Sequence, residues 1–68
     1  MSRYYVNNNS QPNGDHEVHL PGCYWLQQAS STRDLGDHPH CHSAVAAAMV
    51  FYPTANGGAT CAPSCHTG

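Results

Sequence analysis

Hydrophobic side chains come in short, separate runs along this chain. Tyr4-Tyr5-Val6 is the first, and its aromatic and β-branched side chains predict a strand over residues 4–7. The next stretch, NNNSQPNG, consists of turn formers and ends on Asn13-Gly14, a reversal signal. Over residues 15–20 the chain alternates, with His16, Val18 and Leu20 on one face and Glu17 and His19 on the other. A hairpin of residues 4–7 with 16–20, joined by a long loop, is the expected result. Pro21-Gly22 breaks the second strand. Cys23-Tyr24-Trp25-Leu26 is the densest cluster of large apolar groups. Residues 27–32 are polar and read as a loop, 33–36 as a short third strand, and 37–40 as a loop leading into a helix.

Residues 43–52 carry the strongest helical signal, being rich in Ala and free of Gly and Pro. Cys41 or Ser43 is the expected N-cap, and Pro53 stops the helix. Val45, Ala48, Met49 and Tyr52 fall at i, i+3, i+4 and i+7 and form the expected core stripe, with Trp25 and Tyr52 as the principal core aromatics. The opposite face, Ala46, Ala47, Val50 and Phe51, is apolar too. One small sheet cannot bury both sides of a helix, and exposed apolar area marks an interface. A homodimer or protein-partner contact through these four residues is expected. The predicted fold is small α+β: a β-hairpin or three-stranded antiparallel sheet packed on one α-helix, in a single domain over residues 1–68.

Composition turns this thin core into a question of staples. The chain has 68 residues and 40% hydrophobic positions, but no Ile and a single Phe. Charged residues make up 9%, against about 25% in an average soluble domain. Domains below about 70–80 residues gain only a few kcal/mol net from their cores and commonly add disulfides or a metal. The N-terminus, MSRYYVNNNSQPNGD, has no apolar leader run, so a cytoplasmic setting with reduced thiols is expected. The longest apolar stretch, 44–52, is far short of the roughly 20 residues that span a bilayer, so no membrane role is expected. A net charge of −2 with two Arg and no Lys leaves little to neutralise phosphates, so nucleic-acid binding is not expected either.

Against that background stand 4 Cys and 6 His. His19 and Cys23 form His-x3-Cys beside the Pro-Gly turn; Cys61 and Cys65 form Cys-x3-Cys, with His66 directly after. Two ligands three or four residues apart on a turn can face one ion, and two such knuckles supply a tetrahedral structural Zn²⁺ site. His19, Cys23, Cys61 and Cys65 are therefore the candidate ligands, with His66 as an alternative fourth. On this reading Cys23→Ser or Cys61→Ser unfolds the chain and Cys41→Ser is tolerated. The competing reading joins Cys23, Cys41, Cys61 and Cys65 in two disulfides of unspecified pairing. Cys41 lies in the tract His38-Pro-His-Cys-His42, either a solvated loop or a second metal site. His16 reads as a surface histidine or one orienting a ligand.

This order of strand, His-x3-Cys, helix, Asn-Gly and Cys-x3-Cys-His resembles a group of small bacterial proteins. More remotely, it is similar to the zinc-binding β-β-α module of Ada-type DNA-repair proteins, over residues 18–65. The resemblance implies the same ligands: His19, Cys23, Cys61 and Cys65. The second pair is Cys-x3-Cys rather than Cys-x2-Cys, and a basic surface is lacking, which argues against alkyl transfer and DNA repair. The function expected is a zinc-stabilised interaction module that binds protein. The alternatives are a weak nucleic-acid-associated zinc module or a secreted disulfide mini-protein. Catalysis is not expected: the four carboxylates form no evident acid/base pair, and nothing supplies a pocket of the usual size.

Overall fold

The computed structural model describes residues 1–66. Its element order is β1 (Ser2–Asn7), β2 (His16–His19), α1 (Tyr24–Gln28), β3 (Thr32–His38), α2 (Cys41–Met49), β4 (Ala55–Gly57) and a 3₁₀ turn at Pro63–Cys65. The strands form one sheet in the order β3-β1-β2-β4. β1 pairs antiparallel with β2, with Tyr5 opposite His19 and Val6 opposite Val18. This is the hairpin expected from the alternation. β3 pairs antiparallel with β1 on the other side.

The sheet has a fourth strand that the sequence pattern does not announce. β4 runs parallel to β2, so the expected antiparallel three-stranded sheet is a four-stranded mixed one. Parallel neighbours need a crossover, which α2 provides here. The α2 helix also begins two residues earlier and ends three residues earlier than expected, with His40 rather than Cys41 or Ser43 at the N-cap. Ser43 Oγ donates to His40 O at 3.2 Å. After Met49 the chain tightens, with Phe51 N–H and Tyr52 N–H both donating to Ala48 O, and Pro53 follows.

β3 carries an irregularity. Tyr4 faces Gly36 and Tyr5 faces Asp34, so Leu35 is an extra residue in the ladder. Gly36 takes φ +80°, a conformation side chains disfavour, and its N–H donates to the Asp34 carboxylate at 2.7 Å. That contact, followed by the Arg3 guanidinium, holds the Asp34 carboxyl below its ordinary range. Arg33, Asp34 and Asp37 all lie exposed on this strand.

The core is built from small side chains: Tyr4, Val6, Val18, Cys41, Ala44, Ala48, Ala62 and Cys65. Tyr4 and Val6 alternate inward from β1 as a strand requires. Two expected core aromatics are corrected. Trp25 is 51% exposed, because α1 is a single short turn with no buried residue, and Tyr52 is half-buried at the rim. Tyr52 stacks on His16 with ring centroids 3.9 Å apart and donates to Asn8 Oδ1 at 2.7 Å. The buried stripe of α2 is Cys41, Ala44 and Ala48; of the expected residues Ala48 is in it, Val45 and Tyr52 pack partly buried against it, and Met49 is exposed. A stripe of Ala lets the helix approach the sheet closely.

Candidate metal centre and cysteine pairs

The last described residues, 61–66, engage all four cysteines. Cys23 pairs with Cys61 and Cys41 with Cys65, at Cα–Cα separations of 5.9 and 6.2 Å, within the usual disulfide range. Among the described residues no cysteine is left free. Cys61 precedes the 3₁₀ turn and Cys65 lies within it, and the two are directed to different partners. This is the main departure from the expected ligand set. The four residues His19, Cys23, Cys61 and Cys65 do not form one cluster; Cys65 belongs with Cys41, and its place is not taken by His66, whose Nδ1–H donates to Gly57 O at 2.9 Å. The zinc staple expected from the spacing is represented by two cross-links instead, and Cys41, expected to be dispensable, is half of one.

Three of the expected ligands do converge. His19 Nδ1, Cys23 Sγ and Cys61 Sγ all lie within 4.8 Å of one another, with Nδ1 3.7 Å from Cys23 Sγ. His19 closes β2 on the face opposite Val18, by strand alternation, yet it is only 1% exposed. The reason lies in the chain that follows β4. Gly58 N–H donates to Val18 O at 3.0 Å, which lays the Gly58 backbone directly on the imidazole. A Cβ at Gly58 would stand 2.5 Å from His19 Cε1 and Nδ1. Burial pushes the His19 pKa below its ordinary 6.5, outweighing the Glu17 charge that pulls it up. The ring is therefore neutral at neutral pH, the form that ligates metals.

Glu17 is the residue that the spacing argument overlooked. Its Oε1 lies 3.4 Å from His19 Nε2 and accepts from Gln11 Nε2 at 3.4 Å. The signal was present, because residues two apart on a strand share a face. His16, expected as a surface histidine or one orienting a ligand, donates from Nδ1 to Asn7 O at 3.0 Å. A cleft lined by Leu20, Gly22, Cys23, Tyr24, Thr60 and Cys61 opens beside the pair. Trp25 lines the neighbouring hollow with Glu17 and Thr60, its Nε1–H donating to Thr60 Oγ1 at 3.3 Å.

A second convergence surrounds the other pair: Cys41, His42 and Cys65 also have donor atoms within 4.8 Å. In the tract that reads as a solvated loop or a second metal site, His38 donates from Nε2 to Leu35 O at 2.8 Å. His40 stands edge-on to His42, their ring centroids 5.4 Å apart. No described helix is long and apolar enough to cross a membrane. No family model, curated protein or solved structure matches the chain.

Proposed function

We propose that this chain is a small cross-linked interaction module whose cysteines fasten the carboxyl-terminal segment across a core too thin to hold it alone. The observation that carries the reading is the pairing of Cys23 with Cys61 and Cys41 with Cys65. Each link closes a loop long enough to contribute about 3–4 kcal/mol by chain entropy. A disulfide-permissive, oxidising setting fits these pairs in place of the cytoplasmic one expected from the N-terminus. The binding face is the end of α2, where Met49, Val50 and Phe51 are 47, 79 and 51% exposed. Ala46 extends it and Ala47 is half-buried. The occupant that fits is a second copy, because an apolar ridge with few charges is complementary to itself across a two-fold axis.

Arg3 is paired with Asp34 and Asp37, and Arg33 lies over the Phe51 ring at 4.2 Å. Neither joins a cationic patch, which argues against nucleic acid. Peptide mapping under non-reducing conditions tests the staples, with the 23–61 and 41–65 links expected. Sedimentation tests the interface: a dimer that Val50→Asp converts to monomer is expected, and a monomer at all concentrations removes the self-association reading.

A second reading is favoured by one specific observation, the approach of His19 Nδ1 to Cys23 Sγ with Glu17 behind the ring. In the reduced chain His19, Cys23 and Cys61 are donors suited to Zn²⁺, as the spacing first suggested. The resemblance to the Ada-type module adds only the sequence pattern to this reading.

A further inference from the structure

We infer that the His19–Cys23–Cys61 cluster is a redox-gated soft-metal site that holds Zn²⁺ through three protein ligands and leaves the fourth position open to a small exogenous thiolate. This rests on the zinc reading of the same cluster and specifies its geometry, its extra ligand and its control.

The geometry begins with the three donors. Zn–S bonds of about 2.3 Å and Zn–N bonds of about 2.0–2.1 Å at a tetrahedral angle place S and N about 3.6 Å apart. His19 Nδ1 and Cys23 Sγ are 3.7 Å apart. The imidazole is held at its other nitrogen by the Glu17 carboxylate, 3.4 Å away. A carboxylate behind the ring fixes the tautomer that leaves Nδ1 free to ligate, and it makes the ring more basic toward a metal. The Gly58 backbone, which leaves no room for a Cβ against the ring, fixes its position.

The fourth ligand is missing for a structural reason. Cys65 is committed to Cys41 inside the core, and His66 to Gly57 O. Three protein ligands with a vacant position make an exchangeable site rather than a closed structural one. Both ligand cysteines line the cleft formed with Leu20, Gly22, Tyr24 and Thr60, so a small thiol has a path to the ion. Apolar walls and a soft ion favour thiolate over a hard oxygen ligand.

The gate is the Cys23–Cys61 bond. With it formed, neither sulfur is a thiolate. A dithiol reductant donates two electrons to that bond, becomes a disulfide itself and leaves two Cys thiols, which lose their protons as Zn²⁺ binds. In the reverse direction a small disulfide accepts two electrons from the two ligating thiolates. The Cys23–Cys61 bond forms, two small thiolates depart and the ion is released.

The test uses the full chain, treated with a phosphine only until Cys23–Cys61 has opened while Cys41–Cys65 stays closed, and Co²⁺ as the spectroscopic probe. One Co²⁺ per chain is expected, with tetrahedral bands and charge-transfer intensity for two thiolates. Adding excess 2-mercaptoethanol raises that intensity about 1.5-fold as a third thiolate enters the open position. Glu17→Gln weakens metal affinity about 10–100-fold, whereas His66→Gln leaves it unchanged. Adding a small disulfide releases the metal with formation of the 23–61 link. A three-thiolate spectrum insensitive to added thiol means that Cys65 is the fourth ligand; it overturns the open site but keeps the zinc reading. No Co²⁺ uptake overturns both. Metal retained after the small disulfide overturns the gate, and unchanged affinity in Glu17→Gln overturns the positioning role of Glu17.

Discussion

The two cysteine pairs share a carboxyl-terminal anchor only a few residues long, yet they lie in different physical surroundings. Cys41 and Cys65 are 6 and 8% exposed and pack with Ala44, Ala48, Val6 and Tyr4. Cys23 and Cys61 are half-buried beside a cleft, with a neutral histidine at one sulfur. The sequence separations are 24 and 38, and the logarithmic dependence on loop length makes the two links nearly equal as entropic constraints. Surroundings, not loop length, therefore separate them: one is a core element and the other an addressable chemical group. Adjacent glycines repeat the division. A Cβ at Gly57 would stand 2.7 Å from Cys65 Cβ and 2.9 Å from Ala62 O, whereas one at Gly58 meets the His19 ring.

The most severe way to break this comparison is to remove each pair. Cys41→Ala with Cys65→Ala is expected to cost about 3–4 kcal/mol of chain entropy, plus about 1–3 kcal/mol for the gap left in the core. Cys23→Ala with Cys61→Ala is expected to lose only the first part. Urea denaturation of the oxidised proteins measures both, and equal losses would dissolve the distinction. Graded reduction followed by alkylation sharpens it: Cys23 and Cys61 are expected to be labelled first, with Cys41 and Cys65 labelled only as the fold opens.

The glycines come next in size. Gly57→Ala is expected to destabilise by about 1–3 kcal/mol, because backbone must move. Gly58→Ala is expected to cost less, since a ring rather than the main chain yields, but to weaken Co²⁺ binding in the reduced state. A larger metal defect for Gly57→Ala would reverse the assignment of the two sites.

Of the two cysteine pairs, mild acid probes the cleft one. The His19 pKa is lowered in the folded chain, so below its ordinary 6.5 the unfolded chain binds more protons than the folded one. This contribution to stability is complete above pH 6.5 and is lost as pH falls from there toward the folded-state value. His19→Gln is expected to flatten that part of the pH–stability curve, read from thermal midpoints. The smallest effect is expected for Trp25→Ala, within about 0.5 kcal/mol in denaturation, because an exposed side chain contributes little.

How much of this was legible follows from how local each signal is. The hairpin and α2 are written in periodicity and turn residues, and the sequence reads them correctly apart from their ends. β4 is not legible in this way. Ala55-Asn56-Gly57 has no strand propensity and becomes a strand only because α2 carries it alongside β2. Trp25 misleads because size and apolarity suggest burial, while its helix is too short to turn it inward. Of the expected ligands, His19, Cys23 and Cys61 lie together. Cys65 does not join them, because it sits in the 3₁₀ turn Pro63–Cys65 and is paired with Cys41. Nothing local to Cys41 announces Cys65 as its partner.

β3 has a consequence for the chain in crowded solution. It is an outer strand of the sheet, and a row of unpaired backbone groups there invites another sheet to dock and start a filament. Half of the few charged side chains in the chain, Arg33, Asp34 and Asp37, lie on this strand, and the extra residue at Leu35 interrupts its regular repeat. The other outer strand, β4, is only three residues long. A protein with so little charge thus concentrates it at the longer open margin, where each like charge in an approaching copy would repel. Neutralising that margin, for instance with Asp34→Asn and Asp37→Asn together, converts a protected border into a template for aggregation.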